Sequence, residues 1–348
     1  MRMQQPSDLG FRMPAEWEPH EAVWFSWPHP GGISFPGAYD RIPPAMGALV
    51  RAAAEFETVR VNVRDAEQEA EARRHIGASD AVEYFRVPTN EPWCRDHGPT
   101  FLVNDTTGEV AVADFDFNAW GGKYEGTDLD RRVPSTLARM LGLRCFNCPM
   151  VLEGGAIEVN GSGSLLTTRS CLLNPNRNPD LSRVQIEDNL RGWLGAGNIL
   201  WLGEGIEGDD TDGHIDDITR FAGKSRVITA TEENPHDPNF PVLRDNIAAL
   251  RSMRDEDGSP LEIVTLPMPE WRLEHECQRL PASYANFLIL NGAVLMPSFG
   301  DPRDDEAAAV LSSVFPGRRV APVDCRDLII GLGSIHCLSQ QQPAPPCS

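Results

Sequence analysis

A cysteine near the C-terminus, Cys337, ends a glycine-punctuated segment, residues 331–337 (GLGSIHC). A polar run follows at 339–342, which predicts that the thiol is partly exposed and able to act as a nucleophile. A small buried hydrophobic side chain is the commoner fate of a single cysteine, so this segment alone leaves both readings open. His336 is adjacent, but neighbouring residues of an extended segment point to opposite faces, so we look for the base elsewhere.

A second segment, residues 208–217 (GDDTDGHIDD), surrounds His214 with aspartates. If this segment is extended, His214 and Asp216 share a face, which places an imidazole beside a carboxylate. A calcium loop is an alternative, but the segment lacks the alternating oxygen ligands and the later glutamate of an EF-hand. A solvated acidic turn explains Asp209 and Asp210 better than Asp216, because residues 218–221 are largely apolar.

Two further carboxylates stand at glycine turns: Glu153 in residues 152–155 (LEGG), and Asp96 in residues 93–99 (WCRDHGP), a segment that begins with Trp93. Turn chemistry accounts for each one singly, and an ion pair with Arg95 accounts for Asp96. Together, the four segments predict a functional site built from loops.

The stretches between these segments alternate short strands with amphipathic helices. Hydrophobic periodicity predicts strands at 21–27, 58–63, 82–87, 100–103, 109–117, 156–159, 164–168, 199–202, 226–230, 261–266, 286–290, 293–297 and 319–323. It predicts helices at 44–56, 66–76, 133–141, 182–194, 242–254 and 304–315. Gly and Pro are evenly spread, so we expect one α/β domain over residues 1–341 and a disordered, Pro-rich tail at 342–348. The strand, strand, helix, strand rhythm indicates repeated units.

Composition limits the classes of partner. The chain has 41% hydrophobic and 24% charged residues, which is typical of a globular protein. A formal net charge of -20 disfavours nucleic acid and anionic membranes and attracts small cations, although charge of this sign also serves solubility. No signal-like or membrane-spanning apolar run is evident, so we expect a soluble cytoplasmic protein. Eight irregularly spaced cysteines indicate reduced thiols, and we interpret Cys145 and Cys148 as packing residues.

The four segments, together with residues 13–20 (MPAEWEPH), resemble the agmatine deiminases in order and approximate spacing. These enzymes belong with the bacterial-type peptidylarginine deiminases in the guanidine-modifying superfamily, and the resemblance covers essentially the whole chain. It implies a five-bladed α/β propeller (pentein-like) built from ββαβ units around a central active site. By position, it implies that Cys337 is the nucleophile, His214 the general acid/base, Glu153 the partner that orients His214, Asp96 and Asp216 the guanidinium ligands, and Trp93 a packing surface for the substrate.

The implied reaction is hydrolysis of agmatine to N-carbamoylputrescine and ammonia, a step toward putrescine, through a covalent amidino-cysteine. A guanidinium is planar and cationic, and its paired N–H groups suit two carboxylates. The expected partner is a small-molecule guanidine, with no metal, cofactor, nucleic acid or membrane; homo-oligomerisation stays open.

Two departures from the family pattern bear on these expectations. Residues 331–334 read GLGS where the family commonly has GGGN, and the region after residues 117–124 (FNAWGGKY) is short. Peptidyl-arginine is therefore an alternative substrate, whereas the α-carboxylate of free arginine would find only Arg95 in the four segments. Two different classes of function also fit these segments: a metal-dependent hydrolase that uses the His214 loop, and an inactive homologue whose Cys337 resists alkylation at neutral pH.

Overall fold

The computed structural model describes residues 4–346. Its strands are β1 (Phe11–Arg12), β2 (His20–Ser26), β3 (Val59–Val63), β4 (Val82–Arg86), β5 (Thr100–Asn104), β6 (Val110–Asp116), β7 (Arg144–Val151), β8 (Ile157–Val159), β9 (Ser164–Thr168), β10 (Asn198–Leu202), β11 (Thr219–Phe221), β12 (Arg226–Thr231), β13 (Glu262–Pro267), β14 (Glu274–His275), β15 (Gln278–Arg279), β16 (Leu288–Ile289), β17 (Ala293–Ser298), β18 (Arg319–Asp324) and β19 (Ser339–Pro343).

The α-helices are α1 (Ile42–Ala54), α2 (Ala66–Ile76), α3 (Cys94–His97), α4 (Ala119–Gly122), α5 (Val133–Leu141), α6 (Arg169–Leu172), α7 (Arg183–Leu194), α8 (Asn239–Ser252) and α9 (Asp304–Val314). Short 3₁₀ turns lie at Pro6–Leu9, Tyr39–Arg41, Asp130–Arg132, Gly154–Ala156, Ile215–Asp217 and Leu328–Gly331. The six predicted helices are confirmed, and α2 and α5 match the prediction residue for residue. The fold is mixed α/β.

Five sheets of three or four strands repeat one connection pattern. An antiparallel pair is followed, across a helix, by a strand parallel to the second member of the pair. The five sets are β5-β6-β7, β8-β9-β10, β11-β12-β13, β16-β17-β18 and β19-β2-β3. Their crossover helices are α5, α7, α8, α9 and α1. The predicted rhythm of repeated units is therefore confirmed.

Each crossover helix packs an apolar face against its sheet. In α1, a proline in the first turn suits the helix start, and Met46, Leu49 and Val50 are fully buried. These side chains join the largest apolar cluster, which also contains Val61 of β3 and Leu295 of β17. The helices thus cover the sheets from outside and leave the strand-end loops free to form a site.

The predicted disordered tail is wrong for its first two residues, Gln342 and Pro343. Both belong to β19, which pairs antiparallel with β2 and is buried along its length. The Gln342 side chain accepts hydrogen bonds from Trp24 Nε1 at 2.9 Å and Arg60 Nη1 at 2.7 Å. Polar partners inside the protein therefore order a segment whose composition favours disorder. Residues 347–348 lie outside the described part of the chain, and the single domain over 1–341 stays a prediction.

Two other classes of prediction can be compared with the structure. No helix within residues 4–346 is long and apolar enough to cross a membrane. The seven cysteines in that range are all free thiols, and Cys145 is exposed while Cys148 is buried.

Candidate active site

Cys337 lies at the floor of a cavity of about 180 Å³. Its thiol donates to Asp216 Oδ2 at 3.7 Å and accepts a hydrogen bond from Asn286 Nδ2 at 3.0 Å. The expectation of a partly exposed thiol is wrong in degree, because Cys337 is only 7% exposed. The side chain nevertheless borders the cavity, so a ligand there would contact sulfur directly.

The turn before Cys337 has the close approach that its glycines predict. A Cβ atom at Gly333 would lie 2.6 Å from the Trp93 ring and 3.0 Å from the Cys337 Cβ. Leu332 adopts a left-handed conformation with φ of 70°, at a cost of about 1–2 kcal/mol for a residue that is not glycine. Ser334 donates its hydroxyl to Asn286 Oδ1 at 2.8 Å. In this chain, the turn thus combines a left-handed Leu332 with a hydrogen bond from Ser334 to Asn286.

Three charged side chains converge on Gly155. A Cβ atom at this residue would lie 2.5 Å from His214 Nδ1, 2.8 Å from Asp96 Oδ1 and 3.2 Å from Asp216 Oδ2. The amide of Gly155 donates to Asp96 Oδ1 at 3.0 Å, and His214 Nδ1 lies 3.7 Å from the same oxygen. The absence of a side chain at Gly155 is thus what allows these groups to meet.

The expected extended conformation of the His214 segment is wrong. Residues Ile215–Asp217 form a 3₁₀ turn, and His214 lies just before it with extended dihedral angles. His214 and Asp216 still converge, because the tight turn brings both side chains to Gly155. The other aspartates have separate structural partners: Asp209 accepts the amide of His214, and Asp212 pairs with Arg177.

Glu153 is completely buried beside His214. Glu153, Cys171 and His214 each offer a potential ligand atom within 4.8 Å of the other two. One oxygen of Glu153 pairs with Arg177 Nε at 2.6 Å, and both side chains are fully buried. Glu153 therefore lies close to His214, but its ion pair is with Arg177.

Three of the predicted residues, Trp93, Asp96 and Cys337, line the cavity. Trp93 donates its indole N–H to Ser34 Oγ at 2.8 Å and packs against Phe35. The other three, His214, Glu153 and Asp216, are buried and at most 1% exposed, and they are not among the described lining residues. The structure therefore brings all six together as a lining layer and a layer beyond it.

Buried atoms in this second layer lack hydrogen-bond partners. Within residues 4–346, Asp216 Oδ1, Glu153 Oε2 and His214 Nε2 are inaccessible to solvent and have no hydrogen bond. An unsatisfied buried polar atom costs about 1–3 kcal/mol. Glu153 and His214 lie close to each other and Asp216 lies beside the Cys337 sulfur, so these unpartnered atoms are all close to the candidate site.

The pKa values of the thiol and the imidazole are both raised. Burial raises the pKa of the Cys337 thiol well above its usual value, and the nearby carboxylates of Asp216, Asp217 and Asp96 raise it further. Burial acts to lower the pKa of His214, but Asp96 and the other acidic neighbours outweigh it, so this pKa is well above the usual value. Without a ligand, the site holds a neutral thiol and an imidazolium.

The carboxylates do not ionise alike. Burial opposes ionisation of Asp216, but its hydrogen bond from His336 holds its pKa below the usual value. Burial raises the pKa of Asp96, with His214 acting against that shift. Burial and the Asp216 charge raise the pKa of Asp217 well above its usual value.

Two groups of side chains have ligand atoms close enough for a metal ion: Glu153 with Cys171 and His214, and Asp216 with Asp217 and Cys337. In the first group, the Arg177 guanidinium already occupies Glu153 and places a positive charge beside the imidazole. In the second, Asn286 donates to both Asp217 and the sulfur. In each group, at least one potential ligand side chain therefore already accepts a hydrogen bond from within the protein.

Sequence reasoning missed four side chains that hold the site. Trp120 donates to Asp96 Oδ2 at 2.9 Å, Asn286 supports the sulfur, Arg177 pairs with Glu153, and His336 pairs with Asp216. The FNAWGGKY segment was a signal for Trp120, since its consecutive glycines mark an unusual backbone. For Asn286 and Arg177, no local pattern distinguishes a site residue from an ordinary polar one.

The chain is similar to known proteins in both sequence and structure. The family profile of the Porphyromonas-type peptidyl-arginine deiminase matches residues 12–343. An agmatine deiminase of Ectopseudomonas mendocina (strain ymp) is 40% identical, over 98% of this chain and 97% of the relative. The solved agmatine deiminase of Enterococcus faecalis is 31% identical with a TM-score of 0.93, over 99% of each chain.

A third comparison involves a structure with a ligand. The agmatine deiminase of C. jejuni with substrate bound is 32% identical with a TM-score of 0.86, covering 95% of this chain and 96% of that one. Profile, sequence and structure therefore agree over nearly the full length, and the chain belongs to the Porphyromonas-type peptidyl-arginine deiminase family.

Proposed function

We propose that the chain is an agmatine deiminase that hydrolyses agmatine to N-carbamoylputrescine and ammonia, with Cys337 as nucleophile. The observation that carries the proposal is the set of unpartnered buried atoms of Asp216, Glu153 and His214 beside a cavity-lining thiol. A guanidinium is flat, and its N–H groups point outward around the edge of the plane. Carboxylate oxygens accept hydrogen bonds from these groups, and the opposite charges strengthen the bonds. The family relationship and the agmatine deiminases among its relatives support the same substrate.

Asp96 and Asp216 are the proposed guanidinium ligands. Both lie close to Gly155, and Asp216 Oδ2 is also 3.7 Å from the sulfur. Trp93, whose ring packs against the nucleophile turn, would contact the flat part of the substrate. Two carboxylates around one cation fix its plane and hold its central carbon near Cys337.

Substrate binding makes the thiol reactive. The neutral thiol of the empty site lies among acidic groups, and the arriving cation offsets their charge, so Cys337 releases its proton to solvent more readily. The thiolate then forms a C–S bond to the guanidinium carbon, which gives a neutral tetrahedral intermediate. His214 transfers its imidazolium proton to one amino group, the C–N bond breaks, and ammonia leaves an amidino-thioether cation on Cys337.

Hydrolysis reverses the role of His214. The neutral imidazole takes a proton from water while the hydroxide adds to the amidino carbon, which restores the imidazolium. The C–S bond breaks with its electron pair returning to sulfur, and the hydroxyl proton of the intermediate regenerates the thiol. Glu153, buried within reach of His214, is the proposed orienting partner of the imidazole. The balance is one guanidinium and one water consumed, with one ureido product and ammonium released.

The cavity supports agmatine over arginine. Its described lining includes the acidic residues Asp96, Asp210, Asp217 and Glu276 and contains no Lys or Arg. Arg95, the one arginine in the four sequence segments, is not among the described lining residues and donates to Gln341 Oε1 at 2.6 Å. An α-carboxylate would therefore meet uncompensated negative charge, whereas the distal ammonium of agmatine meets favourable charge. The small volume is also a poor fit for a peptide.

We also infer that the five ββαβ sheets form the blades of a pentein-like five-bladed propeller around this site. The repeated pattern of an antiparallel pair and a parallel strand supports this arrangement. Residues that contact one another at the site come from well-separated units: Asp96 from α3, His214 and Asp216 from the turn before β11, and Cys337 from the segment before β19.

The test is to incubate the purified protein with agmatine, arginine and an amine-blocked, carboxyl-blocked arginine, and to measure the ureido product. We expect turnover of agmatine at a specificity constant at least about a hundredfold above the other two, because only agmatine carries a second positive charge and no carboxylate. The Cys337→Ser variant is the control for contaminating activity. Comparable rates with blocked arginine would instead establish the peptidyl-arginine alternative.

A further inference from the structure

His336 is next to the proposed nucleophile but belongs to a different environment. It is 1% exposed and is not among the described residues that line the cavity. Its Nδ1 atom lies 2.6 Å from Asp216 Oδ2, and its Nε2 atom lies 2.8 Å from Glu16 Oε2. The imidazole therefore bridges two carboxylates that are 200 residues apart in the sequence.

Each ring nitrogen of His336 faces a carboxylate. A carboxylate oxygen accepts hydrogen bonds, so both sides of the ring have an acceptor within hydrogen-bond distance. Burial opposes ionisation of Glu16, but Arg220 and His336 hold its pKa well below the usual value. The pKa of Asp216 is likewise held below its usual value, mainly through its hydrogen bond with His336. The three groups form a carboxylate–imidazole–carboxylate chain.

Glu16 has the contacts of an anchor. Its Oε1 atom accepts the amide of Ile289 at 2.7 Å, and its Oε2 atom accepts Arg220 Nη2 at 2.7 Å. Arg220 is in turn bonded to Glu158 at 2.8 Å, and Arg95 lies 3.6 Å from Glu16. Glu16 therefore cannot shift without breaking several buried bonds.

The other end of the chain is where the chemistry takes place. Oδ2 of Asp216 faces His336 and the sulfur, while its Oδ1 is buried without a partner among the described residues. A carboxylate held through one oxygen can present the other in a fixed direction. The bond from His336 thus determines where Asp216 Oδ1 points.

We propose that His336, anchored by Glu16, is a positioning residue that fixes the orientation of the Asp216 carboxylate beside Cys337 for binding of the guanidinium. This inference rests on the proposed deiminase function, and it assigns roles to two residues outside the reacting set. The titratable and charged groups around Asp216 come from several elements: His214 and Asp217 in its own turn, Arg95 and Asp96 on α3, Arg220 on β11, Glu16 in the N-terminal segment, and His336 and Cys337 before β19.

The direct test is His336→Gln. Glutamine keeps a polar side chain but cannot carry the positive charge, so Asp216 should lose its direction and part of its ionisation. We expect KM for agmatine to rise at least about tenfold, with a smaller fall in kcat, because the grip acts in binding. The acidic limb of kcat/KM should move to higher pH, since Asp216 then protonates at a higher pH and no longer binds the cation.

Two further variants separate positioning from stability. Glu16→Gln leaves His336 able to donate from Nδ1 to Asp216 while accepting at Nε2, so we expect a smaller rise in KM than in His336→Gln. His20→Gln is the matched control, because His20 is also buried and bonds to Glu57 and the backbone oxygen of Glu16 without reaching Asp216. It should lower the melting temperature and leave the acidic limb in place.

The outcomes are distinguishable. If His336→Gln lowers only the melting temperature, with KM and the acidic limb unchanged, the residue is structural and the inference is overturned. If the wild type does not turn over agmatine, the proposed function fails, but calorimetry of agmatine with Cys337→Ser and with Cys337→Ser/His336→Gln still measures the grip. Equal affinities of those two proteins would reject the positioning role. Should His336→Gln not fold, the Glu16→Gln profile decides the question.

Discussion

At the scale of single residues, the acidic side chains around Cys337 suit the binding of a cationic substrate. Asp96 and Asp216 surround a thiol that they make harder to ionise. A thiolate nucleophile is usually favoured by nearby positive charge, and His214 supplies only part of it. The substrate supplies the remainder, so reactivity is coupled to binding. Slow alkylation of Cys337 at neutral pH is therefore expected of the active enzyme as well, and does not identify an inactive homologue.

Trp120 is the residue whose role can be isolated most cleanly. Its indole N–H donates to Asp96 Oδ2 at 2.9 Å, and its ring packs edge-on against Phe117 and Tyr124. We expect Trp120→Phe to keep the packing and lose the hydrogen bond to the carboxylate, which corresponds to a fall in kcat/KM of about tenfold or more. Steady-state kinetics with agmatine measures it.

A matched control exists in Trp193 of α7. This residue is buried, but within residues 4–346 its indole nitrogen has no hydrogen-bond partner. Trp193→Phe removes the same atoms without removing a bond, so its kcat/KM should stay within about twofold of the wild type. Equal kinetic losses in both variants would show that ring size, rather than the bond to Asp96, matters.

Residue chemistry was the part of the site most accessible from sequence. Cys337, His214 and Asp96 stand in segments whose glycines and charges are poorly explained by packing, so their type and position were informative. Asn286 and Arg177 also shape the site, but they do so through hydrogen bonds to Cys337 and Glu153, which are 51 and 24 residues away in the sequence. Such pairings depend on the assembled fold, which the local pattern does not encode.

At the scale of elements, α4 stands out because its backbone is left-handed. The φ angles of Ala119, Trp120, Gly121 and Gly122 are 56°, 52°, 90° and 72°. For Ala119 and Trp120, which are not glycines, this conformation costs about 1–2 kcal/mol each. The turn is held by Asn118 Oδ1, which accepts the Gly121 amide at 2.8 Å. This strained, left-handed backbone places the Trp120 indole within hydrogen-bond distance of Asp96.

The two glycines of this turn allow strain and clash to be separated. An alanine at either position carries the left-handed penalty, but a Cβ at Gly121 would also lie 2.3 Å from Asn176 Nδ2 and 2.7 Å from Arg177 Nη1. A Cβ at Gly122 meets nothing within 4 Å. We expect Gly122→Ala to lower the free energy of unfolding by about 1 kcal/mol and Gly121→Ala by about 2–4 kcal/mol, as measured by urea denaturation.

The kinetic consequence should follow the same order. Arg177 pairs with Glu153 beside His214, so displacing it by the Gly121→Ala side chain should reduce kcat as well as stability. Gly122→Ala should retain nearly normal kcat. If the two variants unfold at the same urea concentration, Asn176 and Arg177 move aside freely, and the turn is less tightly packed than its distances indicate.

Elements were predicted well where periodicity is strong and poorly where partners decide. Helices α2 and α5 matched because capping and amphipathic spacing are local signals. Strand β19 was missed because its glutamines have no strand-like pattern, and only the pairing with β2 and the bonds to Trp24 and Arg60 order them. The short strand β11, which was not predicted, likewise owes its form to the neighbouring strand β12.

At the scale of the whole molecule, the net charge of -20 matters for how a cation reaches the cavity. The cavity is lined by further acidic residues, Asp210 and Glu276, so it has the same sign of charge as the molecule as a whole. Agmatine carries two positive charges at neutral pH, so long-range attraction raises its local concentration and its rate of association. Salt screens this attraction over about 10 Å at roughly 0.1 M ionic strength.

N-acetylagmatine keeps the guanidinium of agmatine but lacks the positive charge of the distal amine. Raising salt from about 20 mM to about 300 mM should reduce kcat/KM for agmatine about three- to tenfold, and the effect on N-acetylagmatine should be less than half as large on a logarithmic scale. The comparison holds the guanidinium, and thus the chemistry at Cys337, constant while changing only the distal charge. Stopped assays of ureido product across the salt series measure both slopes. Parallel slopes would mean that the distal ammonium does not experience the acidic surface, and that attraction acts on the guanidinium alone.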